Sequence, residues 1–482
     1  MHFIDLTIFV VYMILMLGVG FFFLKKNKDT DDYYVGGRKM GSFHVGLSVV
    51  ATDVGGGFSI GLGGLGFIMG ISGSWMLFTG LIGAWLTAVV LIPKVSKLSG
   101  ELKLFTFPQI FGHFYNGKVA LLAGIISAIG YIGFTSSQIL AGAKLASASF
   151  VGLDMKAALI IMGAIAVVYT VMGGLKAVIY TDTIQWIILM GGLIFIGIPM
   201  SYFAIGGMEA LRNSVHPEFF SFGNVAWQQL VNWGVTIIPI WFVGMTLYQR
   251  IYSTRSKKAA QRAWFIAGIF EWPLMAFMGV VLGLFSRVAV DNGMFASLGY
   301  ETIAGLDAEM GLPLLLRSIL PIGLMGLMMS AYFSAIMSTA DSCLMAASGN
   351  VLTDILERIK PVKRSDKSTL RLSQLLTLII GTMALLLALS MENVLELMLY
   401  SYAFMVSGLF IPLLGAFFWK KSHPVAAFWA MLLGGSTTLY LTIAQYELPF
   451  GLDPNIFGIT ASLFIFVIIS LLLQEQKRLI HN

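Results

Sequence analysis

Apolar residues gather along this chain in long uninterrupted runs rather than alternating with polar ones. A helix needs about 20 apolar residues to cross the hydrocarbon of a bilayer, whereas a membrane strand takes about 9–11 residues of alternating polarity. Runs of the first kind cover 4–24, 43–70, 74–93, 119–149, 157–174, 177–202, 229–248, 263–286, 312–348, 372–390, 394–418, 424–445 and 456–474. This pattern predicts an all-α polytopic membrane protein with about 13 transmembrane helices.

Composition narrows the class further. Of 482 residues, 57% are hydrophobic and 11% charged, against about 25% charged in an average soluble domain. A soluble enzyme, a disordered chain and a nucleic-acid binder are excluded; the expected partners are the lipid bilayer, an ion and a small molecule. The sequence says nothing of oligomeric state. Charge placement matters more than the net charge of +6. With the N-terminus outside, 25 of the 30 lysines and arginines fall in or beside inner loops, Arg250 and Arg358 among them. Only Lys144, Lys156, Arg212, Arg287 and Arg317 lie towards the outer side, where Asp291, Glu301, Asp307 and Glu309 make an acidic stretch. Inner loops carry the positive excess, so the expected topology is N-terminus outside and C-terminus cytoplasmic, multi-pass in the plasma membrane. The first run has no basic residue before it and is followed by Lys25, Lys26 and Lys28, as in a retained helix rather than a cleaved leader. A single cysteine, Cys343, and six histidines without metal-ligand spacing argue against a disulfide, a metal cluster or an enzyme.

Four carboxylates interrupt the apolar runs: Asp53, Asp182, Glu271 and Asp341. Each costs about 2.5–3.5 kcal/mol at mid-membrane on insertion scales, which makes it a functional candidate by default. Asp53 precedes three glycines, Gly55–Gly57, and each glycine costs about 1 kcal/mol against alanine in a helix. A helix broken there frees carbonyls that coordinate a cation and an N-terminal half that faces an anionic group. Close packing through small residues accounts for the glycines but not for the carboxylate. In 335–343 the Ala335 carbonyl, Ser338 and Thr339 share a helical face, and Asp341 and Ser342 follow one turn on. Carbonyls and hydroxyls suit a hard cation, although such hydroxyls also bond back to the preceding turn. Asp182 pairs with Lys176 or neutralises a cation; Glu271, beside Pro273, is proton-sensitive or satisfies freed backbone groups. Trp241, bracketed by Pro239 and Gly244, is the strongest aromatic candidate for solute contact.

These segments also carry a family likeness. Thr30–Arg38 (TDDYYVGGR) resembles the "DYxxxGR" loop of the sodium/solute symporter family, and Tyr169–Asp182 (YTVMGGLKAVIYTD) resembles its "YTxxGGxxAVxxTD" signature. Ser334–Ser342 is similar to the family's sodium-site helix, and Tyr248-Gln249-Arg250 to the inner end of its seventh span. The likeness covers nearly the whole chain, and its motifs sit nearest the proline- and choline-transporting branches.

The resemblance implies a LeuT-type fold of two inverted five-helix repeats, about 43–202 and 229–418, with a peripheral first span and two extra C-terminal spans over 424–474. It implies a sodium site from the carbonyls of Ala51, Val54 and Ala335 and the hydroxyls of Ser338 and Thr339. A second ion or coupling site would use Asp182, Asp341 and Ser342, with Asp341 standing where the sialic-acid branch has serine. Candidates for substrate contact or coupling are Thr52, Asp53, Gly56 and Trp241. The expected function is sodium-coupled import of a small polar organic solute, an amino acid or other zwitterion such as proline. The alternatives are a sugar, monocarboxylate or quaternary amine as solute, or a sensor or channel-like relative without coupled transport.

Overall fold

The computed structural model describes residues 2–26, 35–150, 152–172, 175–361 and 365–480. Residues 30–34 of the first motif and Gly173 and Gly174 of the signature lie outside the described residues, as do the side chains of Val54 and Lys176. The described residues form helices and no sheet; Met40 and Thr254 make a single isolated bridge.

The main helices are α1 (Phe3–Lys26), α2 (Ser42–Met69), α3 (75–102), α4 (Gly117–Ser149), α5 (Met155–Met172), α6 (175–204), α7 (Trp227–Val243), α8 (Met245–Ser253), α9 (Lys257–Asp291), α10 (Ala308–Ile319), α11 (Leu324–Gly349), α12 (Asp366–Ala388), α13 (Val394–Phe418), α14 (Pro424–Ala444) and α15 (Pro454–Ile480). Among the described residues every predicted run falls on helix, apart from breaks at Gly244 and at 320–323 and end residues at 389–390 and 445. By length and apolarity, eight stretches of described helix are able to cross a membrane, and nine if α7 and α8 count as one bent span.

The run 312–348, expected as one span, is two helices. Pro321 cannot continue a helix, Gly323 adopts φ +89°, and the chain turns between α10 and α11. Asp5 of α1 caps the new start: its Oδ1 accepts from the backbone N–H of Gly323 at 2.6 Å and of Gly326 at 2.9 Å. The third run also continues past its expected end at residue 93, to Leu102.

α11 is the buried centre of the molecule, with 24 of its 26 residues inside. It packs on α2, α4, α6 and α1, and α13 packs on α4 and α7. Water and lipid are excluded from it, so the polar side chains it carries must find partners within the protein or in what the protein binds.

Three inner helices are broken near their middles. α2 is interrupted at Gly55 (φ +38°, ψ −158°). α7 and α8 meet at Gly244 with a 42° bend. α9 departs from helix at Trp272 (φ −142°, ψ +124°), just before Pro273. α2 and α9 touch through bare backbone. A Cβ on Gly283 would overlap the Gly63 carbonyl, and one on Gly66 would overlap that of Val280. Such contact between glycines holds membrane helices together by close van der Waals packing.

Candidate functional site

Four of the five residues expected to hold sodium meet where α2 breaks against α11. Thr339 Oγ1 donates to the Ala51 carbonyl of α2 at 3.0 Å and to the Ala335 carbonyl of its own helix at 3.2 Å. Ser338 Oγ also donates to Ala335, at 3.2 Å. Both hydroxyls therefore bond back within α11, while Thr339 reaches across as well. Val54 lies in α2 immediately before the break at Gly55. A Cβ on Gly55 would stand 2.8 Å from both Thr339 Oγ1 and Gln138 Oε1, so an unsubstituted residue in a left-handed conformation is required here. Gln138 of α4 was missed by sequence reading. Its Oε1 accepts from the Gly56 N–H at 2.8 Å and caps the second half of the broken helix. A buried glutamine following Ser136 and Ser137 in an apolar run was the available signal.

Asp182, Asp341 and Ser342 surround a residue assigned to an inner loop. Arg250 is not in a loop; it is fully buried on α8. Its Nη2 stands 3.6 Å from Asp182 Oδ2 and donates to Ser342 Oγ at 3.0 Å. Nε donates to the Ser48 carbonyl and hydroxyl at 3.1 and 3.0 Å, and Nη1 to the Thr246 carbonyl at 3.2 Å. Ser48 Oγ donates in turn to Asp182. Among the described side chains, Arg250 is a charge partner of Asp182; the Lys176 side chain, expected to pair with it, lies outside them. Counting Arg250 by its place at the end of an apolar run hid it, because the bend at Gly244 turns α8 back into the protein. Asp341 is fully buried beside this group, and neither carboxylate oxygen has a hydrogen-bond partner among the described residues.

Asp53, Glu271 and Trp241 form a third group. Tyr402 of α13 donates weakly to Asp53 Oδ1 at 3.5 Å, and Glu271 faces the same carboxylate. The two carboxyl groups hydrogen-bond to each other; among the described residues no other donor reaches Asp53 Oδ2, either oxygen of Glu271, or Thr52 Oγ1, and the Trp241 indole N–H has no acceptor. All four side chains are buried. A Cβ on Gly80 of α3 would run into Glu271 Oε2 and lie 3.8 Å from Trp241 Nε1, so both groups converge on that bare stretch of backbone.

Lys144 is buried on α4 and pairs with Asp307 Oδ2 at 2.5 Å and Glu309 Oε2 at 2.7 Å. Glu309 also accepts from the N–H groups of Val394 and Leu395, both at 3.0 Å, at the start of α13. Beside this cluster, α2, α7, α10 and α13 enclose a cavity of about 460 Å³.

Carbonyl and hydroxyl oxygens thus meet at one helix break, with buried polar groups beside it. The family model for "Sodium:solute symporter family" matches residues 33–434. The osmoregulated proline transporter OpuE of Bacillus subtilis (strain 168) is 27% identical, with 97% of this chain and 94% of that protein covered. Sodium/glucose cotransporter 1 of Oryctolagus cuniculus is 26% identical over 89% of this chain and 70% of its own length. The structure of a Na+-coupled sialic acid symporter, in a substrate-bound outward-open state, superposes with TM-score 0.80 at 23% identity, covering 98% of both chains. Its LeuT-like architecture is the fold found here. The chain belongs to the sodium:solute symporter family, and it is a multi-pass membrane transporter of a small solute.

Proposed function

We propose that the chain is a sodium-driven symporter in the plasma membrane, with thirteen crossings, N-terminus outside and C-terminus cytoplasmic. Its repeats would span about 43–202 and 229–418, flanked by α1 and the C-terminal pair α14 and α15. Sodium is held by the carbonyls of Ala51, Val54 and Ala335 with the hydroxyls of Ser338 and Thr339. The observation that carries this is the Thr339 hydroxyl, which bonds the Ala51 and Ala335 carbonyls of two different helices at 3.0 and 3.2 Å. A hard cation prefers such neutral oxygens. On binding it takes over the carbonyls that Thr339 now satisfies, and so ties α2 to α11 through itself.

The solute lies alongside, at Thr52, Asp53, Gly56 and Trp241. The break at Gly55 couples the two, because a sodium that fixes the first half of α2 also fixes Gly56 and the Gln138 cap. Proline-like amino acids lead as solute: OpuE is described as a proline transporter, and Asp53 can meet an ammonium group. Asp182, Asp341 and Ser342 form a second coupling group. Arg250 already engages Asp182 and Ser342, which leaves Asp341 as the carboxylate that would respond to an ion. Each sodium moved through 100 mV supplies about 2.3 kcal/mol, enough for roughly fifty-fold accumulation.

In proteoliposomes an inward sodium gradient should drive proline above its outside concentration, and the S338A/T339A double substitution should abolish this. Unchanged sodium dependence in the double variant would overturn the site. Uptake that stops at equal concentrations would favour a sensor or channel-like relative.

A further inference from the structure

Glu271 stands outside the sodium site and is not needed to bind a zwitterion with one ammonium group. It is fully buried on α9 at the Trp272 break, and it faces Asp53 of α2. The two carboxyl groups hydrogen-bond to each other, and among the described residues no other donor reaches either oxygen of Glu271 or Asp53 Oδ2. The buried cations among the described residues are committed elsewhere: Arg250 to Asp182, Ser48 and Ser342, and Lys144 to Asp307 and Glu309. The hydrogen bond between Glu271 and Asp53 takes one proton and leaves the other carboxylate without a counter-charge, which a ligand can supply.

The groups around the pair distinguish between kinds of cation. Sodium requires about five or six oxygen donors, but here an indole N–H points in: Trp241 Nε1, fully buried and without an acceptor among the described residues, converges with Glu271 on Gly80. An N–H donor repels a bare metal ion. It does satisfy a hydroxyl or carbonyl on an organic molecule. Tyr402, which donates to Asp53, is followed by Ala403 on the wall of the 460 Å³ cavity. That cavity is also lined by Asp307, Glu309, Glu396 and Asp453, so its wall is acidic.

We propose that Glu271 is a specificity-determining residue, which with Asp53 selects a small organic cation bearing an ammonium group and a hydrogen-bond acceptor. The proposal rests on the symporter reading and narrows its solute from a zwitterion to a net cation. The negative charge of the pair attracts the ammonium group and would repel a carboxylate on the solute, while Trp241 donates to the acceptor.

The test uses purified protein in detergent with sodium present, and compares three cations with shape-matched partners of no net charge. Prolinamide is set against proline, choline against glycine betaine, and glucosamine against glucose, with thermal stabilisation titrated for each. At least one cation should bind ten-fold or more tighter than its partner. E271Q should reduce that preference ten-fold or more while sodium still stabilises the variant, which reports that it is folded. Should E271Q not fold, D53N is read in the same way. The proposal is overturned if the partners bind as tightly as the cations, if the preference survives E271Q, or if sodium stabilises the protein and no cation does. The last result leaves the symporter reading standing. A native chain that responds to neither sodium nor any solute overturns both.

Discussion

Arg250 Nη2 stands 3.6 Å from Asp182 Oδ2, and both side chains have no exposed surface. The pair joins α8 to α6, with Ser48 of α2 donating to Asp182 and accepting from Arg250. Breaking a buried pair by removing one member costs about 3–5 kcal/mol, because the other charge is left uncompensated. D182A should therefore melt well below the native chain. R250K should not rescue the loss of Arg250, since lysine lacks the fork that reaches Ser48, Thr246 and Ser342 together. The neutral double substitution D182N/R250Q should cost less than the two singles summed. Thermal unfolding in detergent checks all three, and a D182A protein that melts with the native one would remove the pair from the framework.

Gly283 and Gly191 both lie on long apolar helices, but only one of them is a contact. A Cβ on Gly283 would overlap the Gly63 carbonyl, whereas one on Gly191 meets nothing within 4 Å. G283A must push α2 and α9 apart, an overpacking cost of about 1–3 kcal/mol. G191A should be neutral or stabilising by about 0.5–1 kcal/mol, as for glycine replaced in an open helix position. The two substitutions are chemically identical, so melting temperatures that fall equally would show that the α2–α9 contact does not matter.

Most of the fold was legible in the sequence because the signal was strong and local: long apolar runs, separated by basic or acidic loops. The split at Pro321 and Gly323 was hidden because the residues on either side remain apolar, and proline and glycine do not always break a membrane helix. The grouping of Ala335, Ser338 and Thr339, proposed for sodium, was legible because a helical face brings them together at fixed spacing. What spacing does not contain is the partner from a distant helix. Gln138 meets Gly56, and Arg250 meets Asp182, only after α4 and α8 have folded against α2 and α6. Glu271 looked like an isolated charge beside a proline for the same reason: Asp53 lies more than two hundred residues earlier in the chain.

Glu309 and Asp307 share Lys144, yet they should not matter equally. The Glu309 side chain is 9% exposed and also accepts from Val394 and Leu395, while that of Asp307 is 37% exposed. Solvent screens the second pair, so D307N should cost less than about 1 kcal/mol. E309Q loses charge-assisted bonds in a buried setting and should cost about 2–3 kcal/mol. The comparison is one of melting temperatures, and an equal or inverted ranking would contradict the burial argument.

Asp5 gives the clearest test of how α1 is attached. Its Oδ1 accepts from Gly323 and Gly326, the first turn of α11, at 2.6 and 2.9 Å, and the side chain is buried. α11 starts inside the protein with no other side-chain cap, so its first N–H groups depend on this carboxylate. A carboxylate at a helix start also meets the positive end of the helix dipole. D5A should destabilise the protein by about 1–2 kcal/mol, within the range for loss of an N-terminal cap. D5N keeps an acceptor oxygen at the same place and should lose only the charge term, about 0.3–1 kcal/mol. Hydrogen exchange adds a local readout: the amides of Gly323 and Gly326 should exchange faster in D5A than in D5N. Equal exchange in the two variants would mean that the start of α11 is held by packing alone.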